Sequence, residues 1–247
     1  MNSLLISAAS GMKARLESLD LLANNLANQA SPGYKADRES YGLYISPEAL
    51  EDLDASVLPW PPVAPVIERH WTDHAPGPLA DTGNPLDIAL AGKGFLEVQG
   101  PRGSLYTRSG AMRLSPTGRL ETQDGYPVLD TQQRTITLQR GAQIVINEQG
   151  EIRQSGVAVA TLRVVTFAQP AGLAKRNGLY FEATPADAPQ TASAQVLQGR
   201  LEQSNGAPAE SAVRLISILR QFEMLQRAIT IDSEMGQRAS EIARVGG

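Results

Sequence analysis

The chain of 247 residues contains no cysteine and only two histidines. The lack of cysteine excludes disulfide bonds, thiol catalysis and zinc sites that use cysteine ligands. A cysteine-free chain suits the cytosol, and it equally suits an exported protein that assembles outside without a disulfide catalyst. Composition alone leaves both compartments open.

Three further features are missing. No run of 18 apolar residues exists, so we expect no membrane insertion. The formal net charge is −4 and no basic patch stands out, so we expect no nucleic-acid partner. The first ten residues lack a basic start and a small-residue cleavage site, so we expect no cleaved signal peptide.

Apolar residues recur every seven positions near the N-terminus. This spacing predicts one helix over residues 3–28 with a seam for another helix, and Pro32–Gly33 predicts a type II turn after it. The seam consists of Leu5, Met12, Leu19 and Leu26 at one repeat position, with Ala9, Leu16, Ala23 and Leu22 beside them.

The C-terminus repeats this pattern. It predicts a second long helix from about Pro208 to Val245, because proline suits a first helical turn. The seam residues predicted here are Leu215, Leu219, Phe222, Leu225 and Ile229.

Between the helices the apolar period changes to two, with frequent Gly- and Pro-containing turns. Such spacing predicts an antiparallel all-β domain. Its predicted strands are residues 94–98, 104–108, 111–114, 119–122, 135–138, 143–146 and 157–167. The predicted fold is therefore mainly β with terminal α-helices that pair in a coiled-coil-like layer. Its parts are an N-terminal helix and turn (1–35), a Pro/Trp-rich connector (36–80), the all-β domain (81–200) and a C-terminal helix (201–247).

Two groups of polar and aromatic residues are candidate contacts. Asn24, Asn25 and Asn28 lie on the helix side away from the leucines, which is either a solvated face or a polar subunit interface. Trp60 and Trp71 lie in the stiff connector, and we expect one of them to contact an adjacent subunit. The alternative is that both rings fold back onto their own domain.

No catalytic, cofactor or metal site is predicted. His70 and His74 are four residues apart, but they lie in a proline-rich segment and no other histidine is available as a ligand. The GKGF stretch lacks the context of a phosphate loop, and no G-x-S-x-G motif is present. Two alternatives stay open, namely a β-rich cell-wall glycoside hydrolase that uses paired carboxylates and a monomeric coiled-coil scaffold.

Four blocks of the sequence resemble the bacterial flagellar rod and hook proteins. LLANNLANQASPGYKADR (21–38) is similar to the N-terminal pattern A-N-N-[IL]-A-N-x-x-T-x-G-[FY]-[KR] of that family. TGNPLDIALAGKGFLEV (82–98) and YTRSGAMRLSPTGRLETQDGYPVL (106–129) resemble two central segments. QGRLEQSNGAPAESAVRLISILRQFEM (198–224) resembles the C-terminal G-x-L-E-x-S-N-V pattern.

The resemblance implies a non-enzymatic structural subunit that polymerises through its terminal helices into a hollow axial rod in the periplasm. It implies that the other subunits and other rod proteins are its partners, and that the flagellar type III export apparatus secretes it without a cleaved signal. Departures include Ser31 in place of threonine, the SNGAPAES stretch, and the Pro/Trp-rich connector. With the modest length, these favour a proximal-rod member, with a distal-rod member as the alternative.

Overall fold

A computed structural model describes residues 3–45, 63–184 and 187–245, and it describes side chains within 9–42, 67–184, 187–231 and 233–235. The chain forms two compact units. The first consists of Met1–Leu26, Asp37–Trp71 and Pro208–Gly247, and the second of Ala27–Ala36 and Thr72–Ala207. Among the described residues, no helix has the length and apolar character needed to cross a membrane.

Two long helices dominate the first unit. Helix α1 spans Ser3–Ala27 and helix α2 spans Pro208–Val245, which confirms both predicted helices to within one residue. The chain turns after α1 because Gly33 adopts a φ of 72° and Tyr34 N–H donates to the Ser31 carbonyl at 3.2 Å. A positive φ at the third residue is what a type II turn requires, so the Pro32–Gly33 prediction is confirmed.

The first unit also contains two paired strands, β1 (Asp37–Ile45) and β2 (Val63–Thr72). Both lie in the segment that the sequence suggested as an irregular connector. Proline is tolerated in β2 because each strand of a two-stranded sheet is an edge strand, with one side free of ladder hydrogen bonds. Trp60 lies outside the described residues.

The second unit is an antiparallel β structure, as the turn spacing predicted. Its strands are β3 (Leu79–Asp81), β4 (Ile88–Ala91), β5 (Phe95–Gly100), β6 (Gly103–Thr107), β7 (Met112–Leu114), β8 (Leu120–Thr122), β9 (Ile144–Ile146), β10 (Glu151–Gln154), β11 (Val157–Thr161), β12 (Val164–Thr166), β13 (Ala174–Arg176), β14 (Tyr180–Glu182), β15 (Gln190–Thr191), β16 (Gln195–Gln198) and β17 (Arg200–Glu202).

Small sheets enclose two clusters of buried residues in this unit, a main core and a smaller aromatic core of Phe95, Tyr106, Val165, Phe167, Leu173 and Phe181. The largest sheet has the strand order β13-β14-β6-β5-β12-β15, and β11-β10-β9 forms a second sheet, while β16-β4, β17-β3 and β7-β8 are pairs. The main core is apolar and fully enclosed, as expected from strands of alternating polarity. It includes Ile88, Leu96, Val98, Met112, Leu120, Ile136, Ile152, Leu162, Tyr180 and Val196.

Two predicted strands differ from the structure. Residues 157–167 do not form one strand, because the chain leaves β11 at Leu162 and enters the larger sheet as β12. Residues 135–138 form only isolated bridges, although Ile136 and Leu138 are buried in the core. In both cases burial agrees with the apolar pattern, whereas ladder hydrogen bonding depends on neighbours that are distant in sequence.

Candidate functional site

The seam predicted for α1 lies on the more exposed face of that helix. Of the described seam residues, Ala9, Leu16 and Ala23 are exposed, with Leu16 at 49%, and Met12, Leu19 and Leu26 are half-buried. The prediction that Leu22 belongs to this seam is wrong, because its side chain is only 4% exposed and lies on the buried face of the helix. The side chain of Leu5 lies outside the described residues. The buried face of α1 is a different stripe, composed of Gly11, Ala14, Ser18, Leu22 and Asn25. We call the exposed stripe Ala9–Met12–Leu16–Leu19–Ala23–Leu26 the α1 outer face.

Helix α2 carries two apolar stripes. Ile218 is buried, and Leu215, Phe222, Leu225 and Ile229 of the predicted seam are half-buried, while Leu219 is 45% exposed. A second stripe is far more exposed, at 53% to 70%, and the sequence analysis did not select it. This α2 outer face consists of Val213, Ile216, Met224, Ile231 and Met235.

A polar network connects both helices to β1 within the first unit. The side chain of Glu39 is fully buried, and its Oε1 accepts hydrogen bonds from Arg214 Nη2 at 2.6 Å and from the Tyr41 hydroxyl at 2.8 Å. The Tyr41 hydroxyl also contacts Ser18 Oγ, which donates to the Ala14 carbonyl on α1. Because β1 binds a residue of each helix, it fixes which helix faces turn inward.

The amide of Asn25 is used inside the chain. Its Nδ2 donates to the Asp37 carbonyl at 2.8 Å, and Asp37 N–H donates to its Oδ1 at 2.9 Å. Such reciprocal bonding imitates a backbone pair and sets the start of β1, which explains an asparagine near the end of a helix. Asn24 is exposed and Asn28 is half-buried, and their contacts with other subunits stay predictions.

Trp71 and His70 lie near the end of the predicted connector, and both side chains are more exposed than that of the nearby His74. Trp71, in β2, is 37% exposed, and His70, in the same strand, is also exposed. Contact of either tryptophan with another subunit stays a prediction. Within the described residues, no group of three or more His, Asp or Glu side chains is arranged to hold a metal ion.

The most unusual electrostatic feature of the second unit is a buried cluster of Lys35, Arg108 and Glu202, which we call the ion cluster. The three side chains are at most 4% exposed. Glu202 Oε1 accepts from Lys35 Nζ at 2.6 Å, and Glu202 Oε2 accepts from Arg108 Nε at 2.8 Å. Burial lowers the pKa of Lys35, and its hydrogen bond to Glu202 opposes that shift.

Backbone carbonyls accept further hydrogen bonds from both cations of the ion cluster. Lys35 Nζ also donates to the Ala75 carbonyl, and Arg108 donates to the carbonyls of Leu90, Gly92 and Gly94 at 2.6–3.0 Å. Buried charges are costly unless they are paired and hydrogen-bonded, and this cluster meets both conditions. The cluster therefore holds together the chain segments before β1 and before β3, the residue after β6, and the end of β17.

Neighbouring residues of the same segments strengthen this junction. Asn205 Oδ1 accepts from Ala36 N–H at 2.8 Å, and Asn205 Nδ2 donates to the carbonyls of Asp73 and Ala75. Tyr34 is fully buried, with Lys175 Nζ 4.1 Å from the centre of its ring. The GYK, YTR and LEQSN stretches of the sequence thus meet at one place in the second unit.

Sequence reasoning did not select the ion cluster. Its three members are separated by up to 167 residues, so no local pattern relates them. The available signal was that each is a charged residue within a block that resembles the rod family. A charged residue in such a block is equally consistent with a buried ion pair and with a contact to another subunit, so this signal does not identify the cluster.

His74 lies against the aromatic core of the second unit. Its ring packs edge-on against Phe181 and Phe95, with centroid distances of 5.0 and 5.6 Å. Burial, reinforced by the charge of Lys35, lowers the pKa of His74 to about 4, and the Pro170 carbonyl and Asp73 oppose this only partly. At neutral pH the imidazole ring is therefore uncharged and packs as part of the aromatic core.

We expect His74 to make the second unit sensitive to acid. Because the folded pKa is about 4 and the ordinary value is 6.5, stability is complete above pH 6.5 and falls as pH drops toward 4. The loss attributable to this group is about 2–3 kcal/mol. It is measured as the difference in unfolding free energy between pH 7.5 and pH 4 by urea denaturation. His74→Phe should reduce that difference, and His70→Phe should not; equal differences in all three proteins would contradict the assignment.

Comparison with known proteins identifies the family. Residues 89–154 match the family model described as the flagellar hook protein FlgE/F/G D1 domain, and residues 197–242 match the flagellar basal body rod FlgEFG protein C-terminal model. The chain is 32% identical to the flagellar basal-body rod protein FlgF of Caulobacter vibrioides over 97% of both chains. It is 31% identical to the rod protein FlgG of Agrobacterium fabrum, covering 95% of this chain and 97% of that protein. It is 29% identical to FlgF of Salmonella typhimurium over 98% of both. The chain therefore belongs to the flagellar basal-body rod family and is a structural subunit of the rod.

Proposed function

We propose that this rod subunit polymerises with neighbouring subunits through the outer faces of its terminal helices, which form a coiled-coil-like layer. The observation that carries the proposal is that each helix buries one face within the first unit and leaves an apolar stripe on another face. An isolated protein gains nothing from exposing this stripe, whereas an assembling subunit buries it against its neighbours.

The spacing of the α1 outer face supports coiled-coil packing. Its residues alternate by three and four positions from Ala9 to Leu26, which is the heptad pattern of helices that pack side by side. The small residues Ala9 and Ala23 leave hollows between the larger Met12, Leu16 and Leu19. Knobs from another helix fit such hollows.

The position in the rod is part of the proposal. Relatives named FlgF and FlgG match this chain almost equally well, at 32% and 31% identity, so the names alone do not separate the two members. The Pro/Trp-rich stretch that departs from the expected distal-rod pattern favours the proximal rod. A distal-rod subunit is the alternative.

The cellular setting follows from the same assignment. We infer a periplasmic rod location, export by the flagellar type III apparatus, and contacts with other rod proteins. We also infer that the chain performs no catalysis and needs no cofactor, because the charged groups that converge in the second unit are fully paired with one another. The relatives above are rod proteins, which leaves the glycoside hydrolase alternative without support.

Negative charges placed on the α2 outer face should strongly weaken self-association. Met224→Glu combined with Ile231→Glu should weaken association of the full-length chain by at least about 100-fold, since each side chain contributes about 1.5–3 kcal/mol when buried. Sedimentation velocity over a range of concentrations measures this.

The matched control is Gln226→Glu, which adds a charge to the exposed surface of the same helix outside the stripe. It should leave association close to that of the wild type. Circular dichroism checks that all variants keep their helices. Equal association of the double variant and the wild type would refute assembly through the α2 outer face.

A further inference from the structure

The α1 outer face carries an acid that has no partner in the single chain. Asp20 is exposed between Leu16 and Ala23, and it forms no ion pair within the part of the chain that the structure describes. The other charges of this helix differ, because Lys13 lies 3.9 Å from Glu17 and Arg15 lies over the Tyr41 ring. One negative charge without an ion pair is therefore left at the edge of the apolar stripe.

The α2 outer face carries the opposite charge. Arg220 and Arg227 are exposed in the middle of this stripe, on either side of Met224, and neither forms an ion pair with any described residue. Glu223 and Glu234 are also exposed at one edge of this stripe, and Glu234 lies five full turns from Ile216 on the same side of the helix. Seven residues separate the two arginines, which places them about 10 Å apart along the helix axis.

These two faces do not cover each other within one chain, because both are exposed. Pairing of two α2 outer faces in register would set arginines against arginines, and pairing of two α1 outer faces in register would set Asp20 against Asp20. The unlike pair combines apolar contact with opposite charges at the same level of both helices. Such a pair joins two different patches, so it repeats from subunit to subunit and builds an open helical polymer rather than a closed dimer.

We propose that the α1 outer face binds the α2 outer face of a second copy of this chain, with Asp20 seated between Arg220 and Arg227 of the partner subunit. This proposal rests on assembly through the terminal helices and adds to it the identity of the two surfaces and the charges that set their register. Charged residues beside an apolar seam determine partner and orientation in helix pairs.

Charge reversal on the full-length chain tests the pairing. Asp20→Arg places like charges in every contact, and so does the double variant Arg220→Asp with Arg227→Asp. Each variant alone should lose at least tenfold in association by sedimentation velocity at low salt. An equimolar mixture should recover association, because each α1 outer face then meets an α2 outer face of opposite charge in an alternating polymer.

Arg140→Asp is the control, since it reverses an exposed charge in the second unit and touches neither helix. It should associate like the wild type. Association that is unchanged by either reversal, or a mixture that does not recover, would overturn this pairing while leaving helix-driven assembly standing. Failure of the wild type to associate at any concentration would overturn the proposed mode of assembly together with the pairing.

Discussion

Replacing Glu202 by glutamine should destabilise the second unit by about 3–5 kcal/mol, because it leaves two buried cations without their counter-ion. Lys35 and Arg108 have side chains that are at most 4% exposed, so neither reaches water to recover hydration. The amide of glutamine keeps the shape of the side chain but not its charge. The free energy of unfolding of a whole domain is only about 5–15 kcal/mol, so this single change removes a large part of it.

The measurement is equilibrium urea denaturation of the full chain. Tyrosine fluorescence reports mainly on the second unit, which contains four of the six tyrosines, with Tyr34, Tyr106 and Tyr180 buried. The control is Glu182→Gln, which removes an ion pair with Arg176 whose side chains are 42% and 59% exposed. Exposed pairs contribute under about 1 kcal/mol.

A companion variant tests the charge balance of the ion cluster. Lys35→Met removes one of two cations and leaves Glu202 paired with Arg108, so its cost should be smaller than that of Glu202→Gln. If Glu202→Gln costs no more than the exposed control, then the ion cluster does not hold the junction together. If Lys35→Met costs more than Glu202→Gln, the charge argument is wrong and packing of the lysine stem dominates.

Gly33→Ala should be the second strongly destabilising change, at more than about 3 kcal/mol. Gly33 has a φ of 72°, and a β-carbon there would lie 2.3 Å from Ser109 N and 2.4 Å from the Arg108 carbonyl carbon. Both are backbone atoms, which do not yield as a flexible side chain would. The same residue donates its N–H to the Glu202 carbonyl at 2.7 Å, so displacement of the turn also breaks the junction.

Gly83→Ala separates the clash from the backbone conformation. Gly83 has a φ of 68°, close to that of Gly33, but a β-carbon there meets nothing within 4 Å. A positive φ alone costs a non-glycine residue about 1–2 kcal/mol. Gly83→Ala should show that cost, measured by the same urea denaturation, and Gly33→Ala clearly more. Equal losses of unfolding free energy in the two variants would mean that the close approach of the turn to Ser109 adds no steric cost to the Gly33 substitution.

The position of each long helix was readable from the sequence. Heptad spacing and Pro208 predict α1 and α2 almost to the residue, because helical periodicity is a local property of the chain. The strands of the second unit between Phe95 and Ile146, apart from residues 135–138, follow from alternation and turns for the same reason. The strands β1 and β2 of the first unit and β3, β4 and β13–β17 of the second were not predicted. Pairs such as β3 with β17 form between segments that are distant in sequence, which local alternation does not reveal.

Tertiary structure decided which face of each helix is used inside the subunit. Periodicity selected the apolar stripe of α1 but did not show that a mixed face with Ser18 and Asn25 is the buried one. The contacts of Ser18 and Arg214 with β1 residues turn one face of each helix inward and leave an apolar stripe exposed. The ion cluster depends on the fold in the same way. Lys35, Arg108 and Glu202 are distant in sequence, and a buried charge is stable only where the fold brings its counter-charge into contact.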